Sequence, residues 1–174
     1  LIVGMILSQS VKVIPEGRTG VIFNLKGGVE REALHEGLHF LMPVVQTLVI
    51  FFFFLRTYSF TNNNQDSMRL GDPVVAKTQD GQIVGIEASI VTQMVKDKAP
   101  EVYQKIRTDY EPVLKAKTGK TMQEVIARHV ADALYTKETR EAVTKEVYNN
   151  LSASFGASCF QLHDVLLSRI DFSK

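Results

Sequence analysis

The sequence predicts an α+β fold in which a twisted antiparallel sheet packs against helices, and three observations support this class. The first 60 residues are rich in β-branched and aromatic residues and are divided by turn-forming pairs. An Asp80-Gly81 pair separates two further strand-like segments. From about residue 97 the apolar spacing changes to the helical period, and a strand-like segment closes the chain.

The segment from residue 11 to residue 60 is predicted to form strands. Pro15-Glu16-Gly17 and Gly27-Gly28 are turn signals that separate its first β-rich runs. The run "LVIFFFFL" shows no alternation of apolar and polar residues, which favours a strand that is covered on both faces. The polar segment "TNNNQDS" that follows, residues 61–67, is predicted to be a loop.

The clearest hairpin is predicted in "VVAKTQDGQIVGIEASIVTQMV". Asp80-Gly81 is a favoured two-residue turn, because both positions tolerate positive φ. After the turn, apolar residues alternate with small or polar ones, which is typical of a half-buried antiparallel strand. The apolar face of this strand comprises Val84, Ile86, Ala88 and Ile90.

Two helices are predicted next. A short one lies in "KDKAPEVYQKI", with Pro100 in its first turn. A longer one is expected to begin at Thr121, because Thr121 and Glu124 have the spacing of a capping box. The preceding "KTGKT", residues 117–121, is then a loop, since it lacks the spacing of a phosphate-binding loop. The apolar face of the longer helix would comprise Met122, Val125, Ile126, Val130, Ala133 and Leu134.

A further helix and a final strand complete the predicted fold. The segment "TREAVTKEVYNNLSASFG" places apolar residues at helical spacing, and Gly156 is expected just after the end of the helix. The segment "CFQLHDVLLSRIDF" returns to strand composition. The apolar face of the helix comprises Val143, Val147, Leu151 and Phe155.

The N-terminal segment "LIVGMIL" is apolar over seven residues and is followed by Ser8. A membrane-spanning helix needs about 20 apolar residues, so this segment cannot span a bilayer alone. We interpret residues 1–10 as the remnant of an N-terminal membrane anchor and residues 11–174 as the folded domain; a short buried strand or a frayed end is the alternative. The proposed membrane contacts are Leu1, Ile2, Val3, Met5, Ile6 and Leu7.

Four consecutive phenylalanines, Phe51, Phe52, Phe53 and Phe54, are the second candidate contact with a membrane or a neighbouring subunit. Successive strand side chains point to opposite faces, so at least two of these rings point away from any one core. Burying a phenylalanine is worth about 2 kcal/mol, so leaving two in water would be costly. A second covering layer of lipid, helix or partner chain is therefore predicted.

Composition argues against several other functions. The net charge is +1 and no Lys/Arg run is present, which disfavours nucleic-acid binding. The single cysteine, Cys159, excludes an internal disulfide and a cysteine-based zinc site. His35 and His39 have the spacing of zinc ligands on a helix, but Gly37 and Pro43 disfavour a helix there.

No cofactor, metal or enzymatic activity is expected. His129 and His163 are interpreted as hydrogen-bonded structural residues, and Cys159 as buried and inert. An enzyme acting through His39 or Cys159 remains an alternative, but the sequence offers no positioned pair of base and nucleophile.

The order of these motifs resembles the stomatin/prohibitin/flotillin (SPFH, Band 7) domain family. The resemblance runs from about Val11 to Phe172, through "VIPEGRTGVIFNLKGGV", "HEGLHFLMPVVQTLVIF", "TQDGQIVGIEASIV" and "DVLLSRIDF". Its most specific piece, "GLHFLMP" followed by Val45-Gln46, is more similar to prohibitins than to stomatins. Phe52 departs from the prohibitin pattern, which usually has Asp there.

The resemblance implies a non-enzymatic scaffold with an N-terminal anchor, in a bacterial plasma membrane or a mitochondrial inner membrane. Members carry a coiled coil after this domain, form large homo-oligomeric or paralogous rings or cages, and organise membrane microdomains; several regulate a membrane-bound AAA protease. The expected partners are thus membrane lipids, other copies or close paralogues, and such a protease. A peripheral adaptor that binds one membrane protein without forming a ring is the alternative.

Two smaller expectations concern the same region and the helical surface. In "EGLHFLMP", Gly37 supplies conformational freedom, His39 makes a local hydrogen bond, Phe40 packs in the core and Pro43 lies near a strand start. Charged helical residues are candidate lateral contacts, although a solvated face is the more common role of such charges. These residues are Lys137, Glu138, Arg140, Glu141, Lys145 and Glu146.

Overall fold

The computed structural model describes residues 9–66 and 68–172 and divides the chain into two compact units. The first combines the chain up to Phe54 with Met94–Asp109, and the second combines Leu55–Gln93 with the chain from Tyr110 onward. The α+β class with antiparallel strands is confirmed, but the strands form three sheets and not one. No helix among these residues is long and apolar enough to cross a membrane. The proposed anchor, Leu1 to Leu7, lies outside the described residues.

The first unit contains two small antiparallel sheets. Both predicted turns are confirmed, with Gly17 at φ 76° and Gly28 at φ 75°, where glycine avoids the steric cost of a Cβ atom. One sheet pairs β1 with β4, and the other has the order β3-β2-β5. The strands are β1, Val11–Ile14; β2, Arg18–Asn24; β3, Gly28–Val29; β4, Gly37–Phe40; and β5, Gln46–Phe52.

The first unit also contains a 3₁₀ turn, Lys96–Lys98, and helix α1, Ala99–Ile106. Pro100 lies in the first turn of α1, as predicted, where its missing N–H costs no hydrogen bond. The helix packs against β2. Arg107 follows its last residue, has φ 65° and donates its backbone N–H to the carbonyl of Tyr103 over 3.1 Å.

The second unit contains a five-stranded sheet in the order β10-β9-β6-β7, with β8 also paired to β9. The predicted hairpin is confirmed, but its connection is longer than the two-residue turn expected. Lys77 pairs with Ile83, so five residues form the loop, and within it only Gly81 has positive φ. Asp80 instead accepts a hydrogen bond from the backbone N–H of Ala131. The strands are β6, Arg56–Phe60; β7, Arg69–Gly71; β8, Val74–Lys77; β9, Ile83–Met94; and β10, Phe160–Phe172.

The alternation predicted for β9 is confirmed, because every second residue from Val84 to Met94 is buried. The helices of this unit are α2, Glu111–Ile126, and α3, Lys137–Gly156, with a 3₁₀ turn at Asp132–Tyr135 between them. Helix α2 packs against β8 and α3, and α3 packs against β10. Val143, Val147, Leu151 and Phe155 are all buried on α3, as predicted.

Three predicted helix boundaries are wrong. Helix α2 begins at Glu111, with Pro112 in its first turn, and runs through "KTGKT", so Thr121 is buried mid-helix and caps nothing. The helix ends at Ile126, which leaves Val130 beyond it and exposed. Gly156 is the last residue of α3, and the left-handed residue after that helix is Cys159, with φ 66°.

Candidate functional site

The sheet of β1 and β4 presents an apolar face. Val11 pairs with Phe40 and Val13 with Leu38. Directly opposed residues of an antiparallel pair point to the same side, and alternate residues of one strand share a side, so all four project together. All four are exposed, and Phe40 keeps 76% of its accessible surface. We call Val11, Val13, Leu38 and Phe40 the apolar face.

Three further exposed apolar residues lie in two turns of the same unit. Met42 and Val44 lie in the turn that follows β4, and Leu25 lies in the turn after β2. The backbone N–H of Leu25 donates to the carbonyl of Val45 over 3.0 Å, which brings the two turns side by side. We call Leu25, Met42 and Val44 the apolar rim. Exposed apolar residues gathered in one place are typical of an interaction surface.

The opposite side of the β1–β4 sheet is held by the first unit. Ile14 is buried there, and His39 Nε2 donates to the carbonyl of His35 over 2.7 Å. The predicted local hydrogen bond of His39 is therefore confirmed. The prediction that Phe40 packs in the core is wrong, because Phe40 follows His39 in the strand and must point to the other side.

The first two rings of the phenylalanine quartet have contacts within the first unit. Phe51 is 3% exposed, and its ring meets Tyr103 edge-on at a centroid distance of 6.2 Å. Phe51 is therefore a core residue of this unit and is left out of the contact surface proposed below. Phe52 is partly exposed, and the Arg18 guanidinium lies 4.6 Å from its ring centroid.

The last two rings are also covered in part by their own unit. The Lys96 ammonium lies 4.9 Å from the ring centroid of Phe53. The ring of Phe54 packs where a Cβ atom on Gly17 would stand, 1.9 Å from its nearest carbon, so only glycine fits this turn. Arg18, Lys96 and Gly17 of the same unit thus cover part of the quartet, while Phe52 and Phe54 stay partly exposed. The predicted layer of lipid, helix or partner chain stays a prediction.

A charge clamp fixes the loop that enters β4. Lys96 Nζ lies 2.5 Å from Glu36 Oε2. The hydrogen bond from Lys96 is the largest cause that lowers the pKa of Glu36 from its ordinary value, with a backbone hydrogen bond as the next. Next to this pair in the chain, His35 Nε2 lies 3.9 Å from Asp97 Oδ1. The clamp therefore ties the start of β4, and with it the apolar face, to the 3₁₀ turn before α1.

The remaining candidate residues have structural contacts. His129 Nε2 lies 3.3 Å from Glu146 Oε2, and His163 Nε2 lies 3.1 Å from Gln93 Oε1. Cys159 is buried, as predicted. Within residues 9–66 and 68–172, no three His, Cys, Asp or Glu residues gather as metal ligands would. Two ion pairs involve charged residues of α3. Lys137 Nζ lies 3.7 Å from Glu141 Oε1, and Glu146 Oε1 lies 2.7 Å from Nη1 of Arg128, which precedes the helix.

The apolar face was missed by sequence reasoning, although the sequence carries a signal for it. "VKV" in β1 and "LHF" in β4 each alternate apolar with polar residues, which is the pattern of a strand with one apolar side. Pairing these two short segments, which β2 and β3 separate in the chain, would have revealed the face.

The fold and the motifs that shape it define the family of the chain. Residues 12–174 match the SPFH domain / Band 7 family, and the chain belongs to that family. Prohibitin 1 of Mus musculus is 30% identical over 174 residues, covering 99% of this chain and 59% of that protein. Prohibitin 1 of Drosophila melanogaster is 26% identical over 174 residues (99% and 58%). Prohibitin-7, mitochondrial, of Arabidopsis thaliana is 25% identical over 169 residues (97% and 56%).

The expected similarity to prohibitins is confirmed by these relatives. The chain spans a little over half the length of each of them, so activities and partners of whole prohibitins are not properties of this chain by similarity alone.

Proposed function

We propose that the chain is the membrane-facing part of a scaffold, in which the apolar face and rim contact the bilayer. The supporting observation is the β1–β4 register, which projects Val11, Val13, Leu38 and Phe40 to one exposed side. Each such side chain gains about 2 kcal/mol on burial, so a surface that removes them together from water is strongly favoured. Membership of the SPFH domain / Band 7 family supports a membrane scaffold role.

The short distance along the sequence between the N-terminal apolar segment and β1 supports this orientation. The backbone N–H of Leu41, directly after β4, donates to the carbonyl of Ser10 over 2.7 Å. The apolar sequence Leu1 to Leu7 ends only a few residues before this point. A membrane anchor in that segment would hold the β1–β4 sheet close to the bilayer, with Phe52, Phe53 and Phe54 as additional contacts to lipid or to a neighbouring subunit.

The larger assembly is also part of the proposal. Copies of the chain, or of close paralogues, pack side by side into a ring or cage in a bacterial plasma membrane or a mitochondrial inner membrane. A head-to-tail contact with a closing rotation generates such a ring. The ring organises a membrane microdomain and regulates a membrane-bound AAA protease. The family supports these steps, and the charged residues of α3 are candidate lateral contacts.

Liposome flotation tests the membrane contact. Leu38→Asp removes an apolar contact and adds a charge on the face, so it should lower the partition coefficient at least tenfold, because about 1.4 kcal/mol corresponds to a factor of ten. Leu166→Asp is the matched control, since Leu38 and Leu166 are both strand leucines with 59% and 51% exposure. Equal flotation of the Leu38→Asp variant and the unaltered protein would contradict the proposal.

Size-exclusion chromatography of the detergent-extracted protein tests the assembly separately. A ring predicts a very large particle of uniform size. A monomer or dimer that still floats with liposomes would support a peripheral adaptor that binds a single membrane partner.

A further inference from the structure

Strand β8 has one edge that no strand of the described residues pairs with. The Thr78 N–H donates to the Gln82 carbonyl over 2.9 Å, so Thr78 and, by alternation, Ala76 direct their peptide groups toward β9. The peptide groups of Val75 and Lys77 therefore point away from β9. In agreement, the carbonyl oxygen of Val75 accepts a hydrogen bond from a helical side chain, Gln123 Nε2, over 2.8 Å.

Helix α2 forms the opposite wall of a groove along this edge. Two adjoining clefts of about 380 and 460 Å³ lie between β8 and α2 and share Val75 and Gln123, whose hydrogen bond crosses from the helix to the strand between them. We call the two clefts together the groove. Volumes of this size are typical of ligand-binding sites. Half of the residues on the helical side are small: Ala116 and Gly119 of α2, and Ala127, which follows the last residue of the helix.

At Gly119 no side chain projects from the helix into the groove. A Cβ atom at Gly119 would meet no atom of the chain within 4 Å. Glycine inside a helix is less stable than alanine, because its backbone loses more conformational freedom on folding. Among the described residues of the second unit, no packing contact requires glycine at this position, whereas a backbone that approaches closely in the groove would.

The charges around the groove are mainly positive. Lys77, Lys115 and Lys120 line it and are exposed. The carboxylate of Asp72, which also lines it, is bound by Arg69. Lys120 lies 3.7 Å from Glu124, but both side chains are largely exposed, and such pairs are weak. The groove therefore favours a ligand that carries carboxylates.

We propose that the groove between β8 and α2 binds an extended, acidic segment of a partner protein, which adds to the open edge of β8 as a further strand. Main-chain bonds to the outward peptide groups of Val75 and Lys77 would hold the segment, in the manner of β-strand addition. Exposed Val75 and Ile83 contact its apolar side chains, and the lysines contact its carboxylates. The Gln123 amide occupies the Val75 carbonyl oxygen until an incoming N–H replaces it.

This site lies wholly in the second unit, whereas the apolar face lies in the first. Peptide binding can therefore fail while liposome flotation succeeds, and the reverse also holds.

The test uses a fluorescent, N-acetylated peptide of about eight residues in which Glu alternates with Val, a length within the range of single strands. Fluorescence polarisation should show saturable binding to the protein, and a peptide with Lys in place of Glu should bind at least tenfold more weakly. Absence of saturable binding by the Glu–Val peptide, or equal binding of both peptides, would overturn the proposal.

A blocking variant locates the binding. Gly119→Glu places a charged side chain in the groove without contacting the chain's own atoms, and it should weaken binding at least tenfold. Gly156→Glu is the matched control, because Gly156 is also helical, also has no neighbouring atom within 4 Å of a built Cβ, and lies outside the groove. Circular dichroism checks that both variants keep their helices. Equal affinity of the two variants would place the peptide elsewhere and contradict the site.

Backbone methylation tests strand addition itself. Alternate amides of an extended peptide face opposite edges. A peptide N-methylated at every Glu and a peptide N-methylated at every Val should therefore differ at least tenfold in affinity for the protein. Equal affinities would exclude pairing with β8. If Gly119→Glu instead reduces the size of the protein's own oligomer, the occupant is a second copy of this chain, and the proposed partner segment is wrong.

Discussion

Strand β9 and the strand pair β1–β4 have the same alternation of apolar and polar residues, but their apolar residues differ in burial. In β9, the alternate residues Val84, Ile86, Ala88 and Ile90 are buried, in a unit whose helices pack on the same sheet. In β1 and β4, the alternate apolar residues stay exposed, and no element of the described residues covers them. Alternation thus identifies an apolar face, but it does not tell whether the cover belongs to the same chain.

The comparison predicts that truncation to alanine lowers the free energy of unfolding much more in β9 than in β4. Ile86→Ala should lower the free energy of unfolding by about 2–5 kcal/mol, because it leaves a cavity at a site with no exposed surface. Phe40→Ala should change it by less than about 0.5 kcal/mol, because the larger side chain is mostly in water already. Urea unfolding followed by circular dichroism measures both values. A cost for Phe40→Ala as large as that for Ile86→Ala would show that the apolar face is covered within the chain.

A second prediction concerns the cover that the first unit does supply. Gly17 and Gly28 have φ values of 76° and 75°, but only Gly17 lies against a ring, that of Phe54. Alanine should therefore cost about 1–2 kcal/mol at Gly28 from backbone strain alone. At Gly17 the ring should add about 1–3 kcal/mol by overpacking.

Hydrogen exchange of the β2–β5 amides measures both costs, and the second substitution Phe54→Ala separates them. In that background the extra cost at Gly17 should disappear, because the ring has gone. If the difference between Gly17→Ala and Gly28→Ala persists without the Phe54 ring, the ring does not cause it.

Periodicity was sufficient for much of the fold. The hairpin of β8 and β9, helix α3 and strand β10 were all predicted, because each has a long regular pattern or a strong turn signal. The start of α2 was not, because the Thr121–Glu124 spacing also occurs by chance inside a helix, where Thr121 is buried. Pro112, in the first turn, was the better signal.

The candidate site was less accessible to sequence reasoning, because it depends on which segments become neighbours. The quartet predicts more apolar surface than one core layer holds, and Phe52 and Phe54 stay partly exposed. Phe51, however, is a core residue, and Phe53 lies beneath the Lys96 ammonium. A cation 43 positions away in the chain (96 − 53) cannot be assigned to a ring from local pattern. The apolar face likewise appears only when β1 and β4 are placed in register.

The smallest predicted effect concerns the Glu36–Lys96 clamp, which ties the start of β4, and with it the exposed β1–β4 sheet, to the 3₁₀ turn before α1. The pKa of Glu36 is lowered from 4.5 in the folded chain, chiefly by the hydrogen bond from Lys96. A carboxylate with a depressed folded pKa contributes stability above its unfolded pKa and loses that contribution as the pH falls through the folded pKa. Hydrogen exchange of the β4 amides between about pH 3 and pH 7 reports this contribution, since 4.5 lies within that range.

The unaltered chain should therefore protect β4 better than Glu36→Gln at neutral pH, and the two should converge as the pH falls below 4.5. In a Lys96→Met background, Glu36→Gln should have little further effect at any pH, because the largest cause of the pKa shift has been removed. A difference that stays constant with pH, or that survives Lys96→Met, would mean that Glu36 supports β4 through packing. In that case the orientation of the apolar face would not depend on this charge.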